Sequence, residues 1–217
     1  MTPETAKLNQ IINECDNIVF FGGAGVSTES NIPDFRSENG IYNAVNHYGY
    51  PPETMLSHGF FVSHTDVFFD YLRKNLIYSD AKPNYAHIGL AKLEKEGKLK
   101  AVVTQNIDNL HQMAGSETVY ELHGTLYSNY CTKCNKKFDI NYIMNCDGIP
   151  HCDSCGGTVR PNVVLYGEGL DDTTVYNAVK AIQKADVLIV GGTSLNVYPA
   201  AGLIDYYNGN KLVLINK

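Results

Sequence analysis

Four cysteines stand in two C-x-x-C pairs, Cys131/Cys134 and Cys152/Cys155, with 17 residues between the pairs. Each pair can set two thiolates on one tight knuckle. Two knuckles complete the tetrahedron that zinc prefers, with sulfur about 2.3 Å from the metal. Four sulfur ligands leave no open coordination position, so the Zn2+ implied is structural rather than catalytic. The competing reading, a pair of redox dithiols, would call for a βαβ context that neither pair has. Cys146 lacks such a partner, and Cys15 reads as a buried core cysteine.

A second group of residues could hold a nucleotide. Gly22-Gly23-Ala24-Gly25-Val26-Ser27 follows the apolar run Ile18–Phe21, and Pro33-Asp34-Phe35-Arg36 lies just beyond. A buried strand, a glycine-rich turn and a helix start would form a phosphate cradle of backbone N–H groups. The match to G-x-G-x-x-G is partial, because Thr28 occupies the third glycine position and no acidic residue closes a strand about 20 residues on. A plain strand–turn–helix fits this stretch equally well.

Two further polar clusters follow short apolar runs. Gln105-Asn106-Ile107-Asp108-Asn109-Leu110-His111 comes after Ala101–Thr104, and Glu121-Leu122-His123-Gly124 closes Val119–Leu122. Amides and a carboxylate beside packed apolar residues need partners, which the amide and ribose hydroxyls of a ligand would supply. A structural loop is the alternative. His123, at a strand end and followed by a glycine, is the stronger candidate general base, and His111 the weaker. Gly192-Thr193-Ser194 after Val187–Val190 offers hydroxyls for a ribose or phosphate, or a helix cap.

These groups need elements to place them. Leu8, Ile11 and Ile12 predict a short amphipathic helix over Thr5–Cys15. Helices are also predicted over Asp66–Ile77, Ala86–Gly97, Thr173–Lys184 and Ala200–Tyr207. The runs Ile18–Phe21, Ala101–Thr104, Val119–Leu122, Val163–Tyr166, Val187–Val190 and Leu212–Ile215 read as buried parallel strands. Strands alternating with helices imply an α/β fold, a parallel sheet covered on both faces, with ligands outside the strand carboxyl ends. Tyr127–Arg160 breaks the alternation as an inserted module, and Asn135–Asn145 reads as strand and loop between its knuckles.

The 217 residues carry 17 Lys+Arg against 23 Asp+Glu, a net charge of -6. That balance argues against non-specific nucleic-acid binding, which needs clustered cations. It suits a cationic partner such as a lysine-rich peptide. No apolar stretch reaches the roughly 18–20 residues of a membrane span, and Met1–Gln10 lacks the apolar core of a secretory signal. The expected location is the cytoplasm, without membrane association.

The motifs together resemble the sirtuins, NAD-dependent protein lysine deacylases, from about residue 8 to the end. They are the Gly23–Ser27 loop, Ile32–Arg36, Thr104–His111, Glu121–Gly124, the four-cysteine module, Arg160–Val164 with Gly167-Glu168, and Gly192–Leu195 with Val197–Ala201. The resemblance implies a Rossmann-like large domain (1–36, 80–126 and 161–217), a zinc-ribbon module (127–160) and a helical segment (37–79). It implies that NAD lies against Gly22, Gly23, Ala24, Gly25, Ser27, Asp34, Phe35, Arg36, Gln105, Asn106, Ile107 and Asp108. Gly192, Thr193, Ser194, Asn216 and Lys217 would meet its adenosine half. His123 would be the general base, with Asn106 beside it. An acyl-lysine peptide would add as a strand near Val163, Tyr166, Gly167, Leu195, Asn196 and Val197. The products would be free lysine, nicotinamide and O-acyl-ADP-ribose, and a monomer is expected.

The chain departs from the family pattern at Asn31 and Ser37, often glycine, and at Tyr166, often phenylalanine. Phe69 and Leu72 take the places of the Tyr-x-x-Arg pair of desuccinylase-type members, which points to an uncharged acyl group such as acetyl. Family members continue past Lys217 with a segment that closes over the adenine, so a truncated or short form with altered NAD affinity is expected. Two other readings stay open: a mono-ADP-ribosyltransferase or NAD hydrolase, and an inactive NAD- or peptide-binding module.

Overall fold

A computed structural model describes residues 2–33 and 45–216. Two sheets organise these residues. The larger contains β1 (Ile18–Gly22), β2 (Leu99–Thr104), β3 (Val119–Glu121), β7 (Val187–Gly191) and β8 (Leu212–Ile215). Its order is β3-β2-β1-β7-β8, and every pairing is parallel. The smaller contains β4 (Gly124–Cys131), β5 (Lys137–Phe138) and β6 (Val159–Val163), antiparallel in the order β5-β4-β6.

The central strands β1 and β7 are buried at all five positions. Alternate side chains point to opposite faces, as a pleated strand requires. Val19, Phe21, Ala101, Val103, Leu188 and Val190 join Ala178 and Ile182 of the Asp172–Lys184 helix on one face. Ile18, Phe20, Leu99, Val102, Val187 and Ile189 join Leu90 of the Tyr85–Lys95 helix and Leu8, Ile11 and Ile12 of the Pro3–Asn13 helix on the other. Both helices were legible from apolar spacing, and Gly97 ends its helix at φ +75°, where glycine is favoured.

Chain order runs from β1 outward to β3, then returns to add β7 and β8 on the other side. The direction of winding therefore reverses beside β1, the position outside the strand carboxyl ends where open sheets of this kind bind ligands. β1 and its two neighbours end in register, with Gly22 opposite both Thr104 and Gly191. The loops after all three strands start from one level.

Three local expectations need correction. Val163–Tyr166 is not a parallel strand of the large sheet. The strand is Val159–Val163, antiparallel to β4, and beyond it Tyr166 forms an isolated parallel bridge with Ser57. The apolar run is continuous there because Val163 and Leu165 face the second core, not because a sheet covers both faces. The Gly22–Ser27 stretch leads into two 3-10 turns, Ala24–Val26 and Thr28–Ser30, rather than a helix. Asn135–Asn145 holds a helical turn, Ile140–Met144, whose first turn is capped by Asp139 accepting from the Tyr142 N–H.

The second core gathers Met55, Phe60, Phe61, Phe68, Phe69, Leu72, Ile143 and Val159 around the cysteine knuckles and the short helices of residues 52–75. Ile107, from the loop after β2, packs against this cluster. It ties that loop to the second core, and its carbonyl accepts from the Leu126 N–H at 3.2 Å.

Candidate active site

The loops after β1 and β7 meet with almost no space between them. A Cβ on Gly23 would lie 2.8 Å from Cβ of Thr193, and one on Gly25 would lie 2.8 Å from Cα of Gly192. Gly192 itself has φ +59°. These glycines let two loops of the large sheet touch backbone to backbone.

Four N–H groups of the glycine loop, those of Gly23, Gly25, Val26 and Ser27, are engaged within the protein. Gly23 donates to the Gly191 carbonyl at 3.2 Å and Gly25 to the Gly192 carbonyl at 2.8 Å. Val26 and Ser27 donate back to Gly23 and Ala24. The expected helix start is thus corrected to 3-10 turns, and the loop packs tightly with four of its N–H groups committed within the protein.

The polar side chains after β1, β2 and β7 form two hydrogen-bonded groups, one on Ser27 and one on Thr193. Ser27, almost fully buried, donates its hydroxyl to Asp108 Oδ2 at 2.6 Å and accepts from Asn106 Nδ2 at 3.0 Å. Asp108 Oδ1 accepts from the Leu110 N–H at 3.0 Å. Gln105 Nε2 donates to Thr193 Oγ1 at 3.1 Å, and the Leu195 N–H donates to the same oxygen at 3.2 Å. With both acceptor positions filled, the Thr193 hydroxyl proton is left to donate outward.

His123 lies between β3 and β4, half-buried. Its Nδ1 is 3.0 Å from the Gln105 carbonyl oxygen. A carbonyl can only accept, so Nδ1 carries the proton and Nε2 presents a lone pair. Burial lowers its pKa, partly offset by the bond to Gln105. The ring is therefore neutral and basic at neutral pH. The His123 carbonyl accepts from the Val164 N–H at 2.9 Å, joining the base to the Val163–Gly167 segment.

That segment is held firmly. Arg160 makes two bonds to Glu168, at 2.6 and 3.0 Å, and His58 Nδ1 lies 2.8 Å from the same carboxylate. The carboxyl pKa falls to about 2, because the gain from Arg160, the Leu165 N–H and His58 exceeds the cost of burial. Tyr166 donates its N–H to Leu56 and accepts from the His58 N–H. Gly167 has φ +91°. Leu195, at φ +54°, packs on the Ala178 and Ile182 side of the large sheet. Asn196 and Val197 follow it, and the Val197 carbonyl accepts from the Ala201 N–H. Asn216 is exposed just beyond β8, where Ile215 accepts from the Gly192 N–H. Asp34, Phe35, Arg36 and Lys217 lie outside the described residues.

His111 does not join the reactive set. It is 1% exposed, and burial drives its pKa to about 3. Its ring meets that of His87 edge-on at 4.7 Å. His87, fully buried, had no distinguishing setting in the sequence. Its signal was the Asn84-x-x-His87 capping box at the start of a helix, with the Asn84 N–H on His87 Nδ1.

The four paired cysteines bring all their sulfurs within 4.8 Å of one another. Cys131 and Cys155 are 3.4 Å apart, and Cys134 and Cys152 are 3.7 Å apart. A tetrahedron with bonds of about 2.3 Å has edges of about 3.8 Å. The donor set fits zinc. A Cβ on Gly157 would lie 2.8 Å from the Cys131 sulfur, so the knuckle needs glycine there.

The Sir2 family profile matches residues 23–199. The chain is 64% identical over 212 residues to an NAD-dependent protein deacetylase of Clostridium acetobutylicum, covering 97% of this chain and 86% of that protein. A solved Sir2 complex with a p53 peptide and NAD+ superposes with a TM-score of 0.86 at 39% identity, covering 100% of this chain and 87% of the other. Another, holding 2'-O-acetyl-ADP-ribose and deacetylated p53 peptide, gives a TM-score of 0.84 at 39% identity, covering 97% and 86%. With motifs, sheet order, cysteine cluster and these likenesses in agreement, the chain belongs to the Sir2 family.

Proposed function

We propose that the chain removes acyl groups, acetyl foremost, from protein lysines at the expense of NAD, releasing nicotinamide and O-acyl-ADP-ribose. The single observation that carries the reading is the tether of His123 Nδ1 to the Gln105 carbonyl. It leaves a neutral Nε2 on a ring that is tied, after β3, to the loop carrying Asn106 and Asp108, which Ser27 joins.

NAD supplies a ribosyl carbon that can take the acyl oxygen once nicotinamide departs. The chain's own residues supply position, proton transfer and exclusion of water. His123 Nε2 accepts a ribose hydroxyl proton and later returns it. Asn106 and Asp108, fixed by Ser27, face the nicotinamide ribose and carboxamide, while Thr193 and Ser194 serve the adenosine half. Asn216 serves the adenosine half as well. The substrate backbone pairs with Val163–Gly167 on one side and Leu195–Val197 on the other, as an added strand. Zinc holds the small lobe together and takes no part in the reaction.

Phe69 and Leu72 are apolar and buried in the second core, so those places offer no cation for an acidic acyl chain, which favours an uncharged one. The neighbouring cation, Arg73, donates to the carbonyls of Ile143 and Gly148. The division into a large lobe and a zinc-bearing small lobe, with the reaction between them, belongs to this reading. So does a cytoplasmic location: no helix among the described residues is long and apolar enough to cross a membrane. The four clustered cysteines also call for a reducing compartment.

The test is nicotinamide release from NAD with and without an acetyl-lysine peptide. Release that requires the peptide supports the reading. Peptide-independent release would favour an NAD hydrolase or ADP-ribosyltransferase, and no release a binding module.

A further inference from the structure

Asn84 caps the Tyr85–Lys95 helix and, with the same side chain, grips the loop that leaves β1. Its Oδ1 accepts from the Ala86 N–H at 2.9 Å, which fixes the amide orientation. Its Nδ2 then donates to the Val26 carbonyl at 2.8 Å and to Ser30 Oγ at 3.0 Å. Val26 closes the first 3-10 turn and Ser30 the second. Between them stands Ser27, the hydroxyl that joins Asn106 to Asp108.

The backing of Asn84 is rigid. Its own N–H donates to His87 Nδ1 at 3.2 Å, and the buried His87 ring rests edge-on against His111. His111 in turn packs near Phe20 of β1. The amide therefore couples the helix on one face of the sheet to both turns of the glycine loop.

We infer that Asn84 is a positioning residue for NAD: its two donated bonds hold Val26 and Ser30 so that Ser27 keeps Asn106 and Asp108 in their binding arrangement. The inference rests on the deacylase reading. Capping and clamping are chemically separable. Asn84→Ser and Asn84→Asp each keep an oxygen acceptor for the helix start, and both residues are favoured at that position. Neither reproduces the two amide donations.

The experiment measures NAD affinity by calorimetry, KM for NAD and for an acetyl-lysine peptide, and ligand-free unfolding temperature for the wild type and both variants. Two lost hydrogen bonds predict NAD affinity weakened about tenfold. KM for NAD should rise in parallel while peptide KM stays near the wild-type value, even where loss of the two bonds lowers the unfolding temperature by a few degrees. Unchanged NAD affinity in both variants, with a wild type that binds NAD, overturns the clamp alone. NAD and peptide constants worsening together with a lowered unfolding temperature would reduce Asn84 to a structural cap and also overturn it. A wild type that bound no NAD would overturn the functional reading, and the clamp with it.

Discussion

The Gln105 carbonyl and the His123 ring are joined by a 3.0 Å bond across 18 residues of sequence. One loop thus sets the tautomer of a base carried by the next. Replacing the ring with His123→Ala should leave the fold and the zinc cluster intact while lowering kcat/KM by roughly 10²–10⁴-fold, the range for a lost general base. Burial lowers the His123 pKa. The acid limb of the activity profile should therefore fall below the ordinary histidine value of about 6.5. Steady-state rates across pH check both points.

Ser27 is nearly as important as the groups it connects. Ser27→Ala removes a donor from Asp108 and an acceptor from Asn106 inside a buried network. The expected loss is about 1–3 kcal/mol of NAD binding, the cost of a stranded buried polar partner. A titration that showed undiminished NAD affinity would remove Ser27 from the site.

Two glycines should respond oppositely to the same methyl group. Gly25→Ala would place Cβ 2.8 Å from Cα and 2.9 Å from the carbonyl oxygen of Gly192, where backbone cannot yield. It should cost about 1–3 kcal/mol of stability and weaken NAD binding. Gly89 lies inside the Tyr85–Lys95 helix with open space around it. Gly89→Ala should stabilise by about 1 kcal/mol. Denaturant unfolding of the pair decides the matter.

Three imidazoles, His87 and His111 buried and His123 half-buried, make stability fall with mild acid. His87, His111 and His123 all have pKa values lowered mainly by burial, His111 to about 3. The unfolded chain takes up protons near pH 6.5, and the folded chain resists them. The stability these groups confer is complete above that value and declines as pH falls below it. The slope is at most about 1.4 kcal/mol per pH unit for each ring. Glu168, with its pKa near 2, adds a loss only below about pH 4.5. Unfolding free energies between pH 7.5 and 5 should show the histidine slope, and His111→Phe should flatten it.

Zinc should be present at one ion per chain and be required for the small lobe. Its binding energy is folding energy for that lobe. Chelation, or Cys155→Ser, should expose the amides of β4, β5 and β6 to exchange while β1, β2 and β7 stay protected. Protection unaffected by metal removal would contradict the structural role.

Much of this was legible because it depends on local pattern. Ile18–Phe21 and Val187–Val190 read as buried parallel strands, and burial at every position of β1 and β7 agrees. The cysteine spacing alone predicted a cluster that the sulfur distances now support. Val163–Tyr166 misled because an apolar run does not reveal which core it faces. The glycine loop gave less than its local signature because the Gly23 and Gly25 N–H groups are taken by Gly191 and Gly192, some 170 residues away. Asn84 and His87 carried a readable capping signal, but their second role depends on Val26, Ser30 and His111, which only the tertiary fold supplies.

The central claim is that one crevice at the reversal of the sheet holds NAD and an acyl-lysine against His123. A crystal structure of the chain with NAD and an acetyl-lysine peptide tests it most directly. The account predicts a ribose hydroxyl within hydrogen-bond reach of His123 Nε2 and the peptide backbone paired with Val163–Gly167. Dinucleotide density away from Ser27, Asp108 and the His123 ring would contradict it.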